Sequence, residues 1–143
     1  MKGATKWTWM LAVWTLAIWG SRLRNAVADD ELSGRELLQA VGIAAVFVGL
    51  AIVLGVGLWR RGAWTAPALI VLVIAGVIRW TIRGPVILLS DDWDTGFKIV
   101  HTVLWLVTVA LSAMAWREGR ALDARADLDG GYDSGHGSAR IGH

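Results

Sequence analysis

The stretch LLQAVGIAAVFVGLAIVLGVGLW, residues 37–59, decides the fold. Its 23 residues hold Gln39 as their single strongly polar side chain, and as a helix rising 1.5 Å per residue they reach about 34 Å. A bilayer's hydrocarbon core is about 30 Å thick, so the segment crosses it with some tilt. Working outward, three further apolar stretches end in polar or charged clusters: residues 7–20, 66–82 and 97–116. These four segments predict an all-α integral membrane protein, a four-transmembrane-helix bundle occupying residues 1–116. Residues 117–143 then form a polar, Gly/Ser-rich C-terminal tail, whose composition buries too little apolar surface to hold a fold and predicts flexibility.

The first stretch is the shortest. Its 14 residues reach only about 21 Å as a helix, and snorkelling by Lys6, Arg22 and Arg24 has to lengthen it. A secretory signal peptide competes for this segment, because a basic start and an apolar region are followed by Ala26-Val27-Ala28, a small-residue cleavage pattern. Two arginines before the supposed cut, and Trp7, Trp9, Trp14 and Trp19 in the apolar region, favour an uncleaved helix. Another break is expected at Gly84-Pro85. Proline should stop the third helix there and leave Val86–Leu89 as an apolar outer loop in the headgroup region or against a partner.

Composition agrees with the membrane reading. Of 143 residues 55% are hydrophobic and 18% charged, against about 25% charged in soluble domains, and the mean hydropathy is +0.51. The ten tryptophans, set against one tyrosine and two phenylalanines, suit a bilayer's edges. The absence of cysteine rules out disulfides, thiolate metal sites, a cysteine nucleophile and haem attached through Cys-x-x-Cys-His. A net charge of +2 is too small to argue for nucleic acid. With the N-terminus inside, eight Lys and Arg fall inside and six outside. Weighting the Arg60-Arg61 turn and the 117–125 segment, which lie close to the spans, places both termini in the cytoplasm of an inner membrane. Eleven arginines against three lysines suggest a GC-rich bacterial genome.

One pattern occurs twice. Trp19-x-x-Arg22 precedes Asp29-Asp30-Glu31-Leu32-Ser33-Gly34, and Trp80-x-x-Arg83 precedes Asp91-Asp92-Trp93-Asp94-Thr95-Gly96. The helices that follow end alike, in Trp59-Arg60-Arg61-Gly62 and Trp116-Arg117-Glu118-Gly119. We read two tandem helical hairpins, residues 7–62 and 66–119, related by an axis along the membrane normal. Trp19, Trp59, Trp80 and Trp116 are expected to be interfacial anchors. Ser33, Glu36 and Thr95 are expected to cap helix starts, Ser33 and Glu36 having capping-box spacing. Arg22, Arg24 and Arg83 are expected to face Asp29, Asp30, Asp91, Asp92 and Asp94 on the outer surface as ion pairs locking the hairpins together. A hard cation is the weaker reading, because EF-hand spacing is absent.

Within the spans, Asp94, Lys98, His101, Trp105, Thr108 and Ser112 recur at steps of three and four and share one face of the fourth helix. Such a face turns toward other helices, a cavity or a partner. Together with Arg79, one turn before Arg83, it makes a candidate intramembrane polar site. His101 as a haem or metal ligand lacks a second imidazole, thiolate or methionine to complete the set. Ala45-x-x-x-Gly49 and Ala51-x-x-x-Gly55 give the second helix two close-packing faces, one for the bundle and one for another subunit.

No nucleophile elbow, P-loop, His-Glu-x-x-His motif or dinucleotide fingerprint occurs, which argues against an enzyme and implies no cofactor. The expected role is an accessory or structural subunit of a larger membrane complex, respiratory or oxygenase in type. The alternative is a homo-oligomeric transporter or channel using the polar face of the fourth helix. Four-span multidrug exporters are of similar size, but they rely on a carboxylate within the first helix, and residues 7–20 contain none.

Overall fold

The computed structural model describes residues 5–30, 34–91 and 93–136, with side chains through Ala121. Four helices follow one another: α1 (Lys6–Val27), α2 (Gly34–Arg60), α3 (Thr65–Leu89) and α4 (Thr95–His136). No strand occurs among the described residues. Gly34–Arg60, Thr65–Leu89 and Thr95–Ala121 are long and apolar enough to cross a membrane, and α1 falls short of that hydropathy.

Each helix packs on its neighbours in sequence, and α4 closes the ring onto α1. The short turns make successive helices antiparallel. The turn from α2 to α3 is the tightest. Arg61 adopts a left-handed φ of 51°, and the Gly62 amide donates to the Gly57 carbonyl at 3.1 Å, the 6→1 bond of a Schellman ending with arginine where glycine is usual. Thr65 secures the other side by donating its Oγ1 to the Gly62 carbonyl at 2.7 Å. Gly57 is required here, because a Cβ would lie 2.8 Å from Thr65 Oγ1 and 3.4 Å from the Thr65 backbone.

The core comprises Leu11, Ala12, Trp19, Ala44, Phe47, Leu54, Leu69, Leu72, Leu111 and Ala115, with Trp19 stacked on Phe47 at 4.2 Å between centroids. Ala51 is fully buried, and a Cβ on Gly55 would meet the Trp9 ring at 3.7 Å, so this small-residue face lies against α1. Ala45 is exposed, and a Cβ on Gly49 would meet nothing, so the second small-residue face points outward. Val46, Ile52, Ile74, Ile78, Val103 and Leu106 each leave half or more of their surface exposed, an apolar exterior suited to lipid.

Four expectations need correction. Helix α1 is not a short segment ending at Gly20: it continues through Arg22 and Arg24 for 22 residues, about 33 Å at 1.5 Å per residue. Pro85 does not stop α3, which runs to Leu89 and closes with the Ser90 amide on the Val86 carbonyl at 3.1 Å. The preceding residue is Gly84, and without a Cβ it escapes much of the clash that drives pre-proline residues out of the helical region. Val86–Leu89 is therefore a helical turn rather than a loop, with Ile87 buried. Helix α4 likewise does not end at Trp116: its backbone stays helical to His136, through the first twenty residues assigned to the flexible tail. Ala121, Leu122, Ala124, Arg125 and Ala126 are helix formers, which favours continuation through the first turns past Trp116. Finally, Trp19 and Trp80 are 8% and 7% exposed. They are core residues, whereas Trp59 at 82% and Trp116 at 38% do face outward.

Candidate functional site: the α1–α4 seam and its arginine-lined cleft

Among the described residues three hydrogen-bonded contacts join α1 to α4, and their order gives the antiparallel register. At the first, the Glu118 carboxylate accepts from the Thr8 amide at 2.9 Å, Thr8 Oγ1 at 2.7 Å and the Trp7 amide at 3.4 Å. A helix start leaves four amides unpaired and a partial positive charge, which a carboxylate from across the bundle satisfies. At the second, Trp14 Nε1 donates to Thr108 Oγ1 at 3.0 Å, while Thr108 donates to the Leu104 carbonyl at 2.7 Å. At the third, an Arg22 Nη donates to His101 Nε2 at 2.9 Å. A guanidinium only donates, so the His101 proton sits on Nδ1 and goes to the Phe97 carbonyl at 2.9 Å. Both ring nitrogens of His101 are thereby engaged.

The third contact opens into a cleft of about 1120 Å³ to which all four helices contribute. Arg22 comes from α1, Glu36 and Gln39 from α2, Arg79 and Arg83 from α3, and His101 from α4, with Asp29 from the loop after α1. Trp19 and Trp80, each three residues before a cleft arginine, anchor that arginine's helix in the core. The Arg22 guanidinium also lies over the Trp19 ring, 5.7 Å from its centroid. Arg22, Arg79 and Arg83 line the same cavity, so like charges converge on it.

The predicted polar stripe of α4 is thus divided. His101 and Thr108 bond to α1, and Ser112 is buried. Trp105 lies with Trp80 and Gly84 at the α3–α4 contact. Asp94 is exposed, and its Oδ1 accepts from the Phe97 amide at 2.8 Å, so Asp94 rather than Thr95 caps α4. Lys98 does not line the cleft. Of the expected outer ion-pair cluster, Arg22, Arg83 and Asp29 do line it, whereas Arg24, Asp30 and Asp91 are exposed away from it. Asp92 lies outside the described residues, as does Ser33, the partner expected for Glu36. Among the described residues no group of three or more His, Asp or Glu is placed to hold a metal ion.

Sequence reasoning missed Glu118, Thr8 and Trp14. The signal for Glu118 was a carboxylate just past the last span, which an up-down-up-down bundle sets beside the start of α1. The fold is an all-helical bundle in which three helices are long and apolar enough to cross a membrane. No family model, curated protein sequence or solved structure matches the chain.

Proposed function

We propose that this chain is a multi-pass inner-membrane protein of two tandem hairpins, with both termini cytoplasmic, acting as a non-enzymatic accessory or structural subunit of a larger membrane complex of respiratory or oxygenase type. In this reading α1 is the fourth crossing, its modest hydropathy offset by burial of Thr8, Leu11, Ala12, Thr15 and Trp19 against its neighbours. The observation that carries the proposal is the direction of the α4 polar face. Thr108 and His101 are turned onto Trp14 and Arg22 of α1, where their hydrogen bonds hold the two helices together; of the two, only His101 also borders the cleft. The outward Ala45 and Gly49 face gives a close-packing surface for a neighbouring subunit.

The test is extraction from native membranes in mild detergent, with size analysis and mass spectrometry of wild type and Gly49→Leu. A stoichiometric set of larger subunits is expected with the wild type and should be lost from Gly49→Leu at unchanged helicity. A clean homo-oligomer of the wild type would overturn the accessory reading in favour of a transporter.

A further inference from the structure

The arginine cleft has a chemistry that helix packing does not use. Arg22, Arg79 and Arg83 arrive from two helices at one cavity, and the carboxylates beside them are Asp29 and Glu36. Three cations against two anions leave a formal excess of positive charge, with His101 Nε2 already accepting from Arg22. Guanidinium groups match phosphate oxygens through paired, charge-assisted hydrogen bonds, and a bound dianion or monoanion relieves their mutual repulsion. The rest of the wall is apolar, formed by Ile18, Ile43, Ile82, Val86 and Leu104 among others. A volume of about 1120 Å³ is slightly more than small-molecule sites usually occupy, about 300–1,000 Å³. A charged head with apolar groups beside it fits such a wall better than a bare ion.

We infer that the cleft binds the phosphate group of an anionic amphiphile, held by Arg79 and Arg83 of α3 together with Arg22 of α1. The phosphate sits among the guanidiniums, and the glycerol or acyl part lies along the isoleucines. The site draws on all four helices, so occupancy clamps the open end of the bundle. The inference does not depend on the accessory role, because a bound phosphate amphiphile is compatible with any partner.

The test uses the full chain in vesicles of equal phosphatidylcholine and phosphatidylglycerol. Native mass spectrometry then reads the lipid retained by wild type, Arg79→Gln, Arg83→Gln and Arg24→Gln. Arg83 is exposed, so Arg83→Gln keeps the fold, and circular dichroism checks helicity in every variant. Wild type and Arg24→Gln should retain a stoichiometric phosphatidylglycerol, and each cleft variant should lose affinity by about tenfold or more. A parallel arm adds inorganic phosphate. Displacement of the lipid at millimolar phosphate supports the site with a soluble phosphate compound as its ligand, and no displacement supports it with a lipid headgroup. Retention that is equal in all four proteins, or that falls as far in Arg24→Gln as in Arg83→Gln, overturns the proposal.

Discussion

The two ends of the α1–α4 seam are built from opposite materials. At one end a carboxylate, Glu118, closes over the amides of Trp7 and Thr8, and the nearby core packs Leu54 to zero exposure. At the other, three arginines line an open cleft, and among the described residues the seam bond there joins Arg22 to His101. The difference teaches how a helical bundle in lipid divides its labour. Apolar side chains are no better off in the core than in lipid, so stability comes from close packing and from polar groups that find partners. An end where both conditions hold is structural. The other end leaves open volume among its cations, and the proposed phosphate site uses that volume.

This contrast can be broken most forcefully at the closed end. Leu54→Ala should destabilise the bundle by about 2–5 kcal/mol, the cost of a cavity at a fully enclosed leucine. Leu104→Ala, on the cleft wall, should cost less than half as much when both are measured by unfolding in mixed micelles. Equal losses would erase the distinction between a packed end and an open one. Glu118→Ala comes next, because it removes acceptors for the α1 amides and for Thr8 Oγ1, at about 2 kcal/mol. Faster hydrogen exchange confined to the first turn of α1 would locate that loss.

The middle of the seam should respond more weakly. Trp14→Phe deletes the bond to Thr108 while keeping an aromatic ring, and such interhelical bonds contribute about 0.6 kcal/mol, with a maximum near 1.7. Thermal unfolding should show that small loss, and a double change with Thr108→Val should add little to it. The smallest effect is a gain. Arg61 holds a left-handed φ of 51°, so Arg61→Gly should stabilise by about 0.5 kcal/mol once glycine's greater freedom in the unfolded chain is subtracted from the relieved strain. A loss of stability there would mean that the Arg61 charge holds the turn in place.

The positions of the helices were largely legible from hydropathy, because residues 37–59 and the three other apolar stretches could be satisfied only as helices. Their ends were less so. Arg22 and Arg24 in residues 21–27, and the charged residues and glycines of 117–136, look like the limits of a span, yet a helix does not stop where its hydropathy does, and Gly84 lets α3 pass through Pro85. At the candidate site, Arg22, Arg79, Arg83 and His101 were all picked out as residues, but with other partners. Arg79 and Asp94 are grouped in one polar site by the sequence, whereas Asp94 caps its own helix and Arg79 lines the cleft. The duplicated Trp-x-x-Arg was visible, although its tryptophans read as interfacial anchors and are core.

The sequence alone determined that this is a chain of membrane-type helices joined by short turns, with polar groups of α4 on a common face, since both properties depend on spacing along one dimension. Only the tertiary structure decided that His101 and Thr108 of this face meet α1 while Trp105 meets α3, that Glu118 reaches back 110 residues to Thr8, and that arginines from α1 and α3 share one cleft. Those pairings depend on the rotation and register of each helix against its neighbour, and packing sets them jointly for the whole bundle.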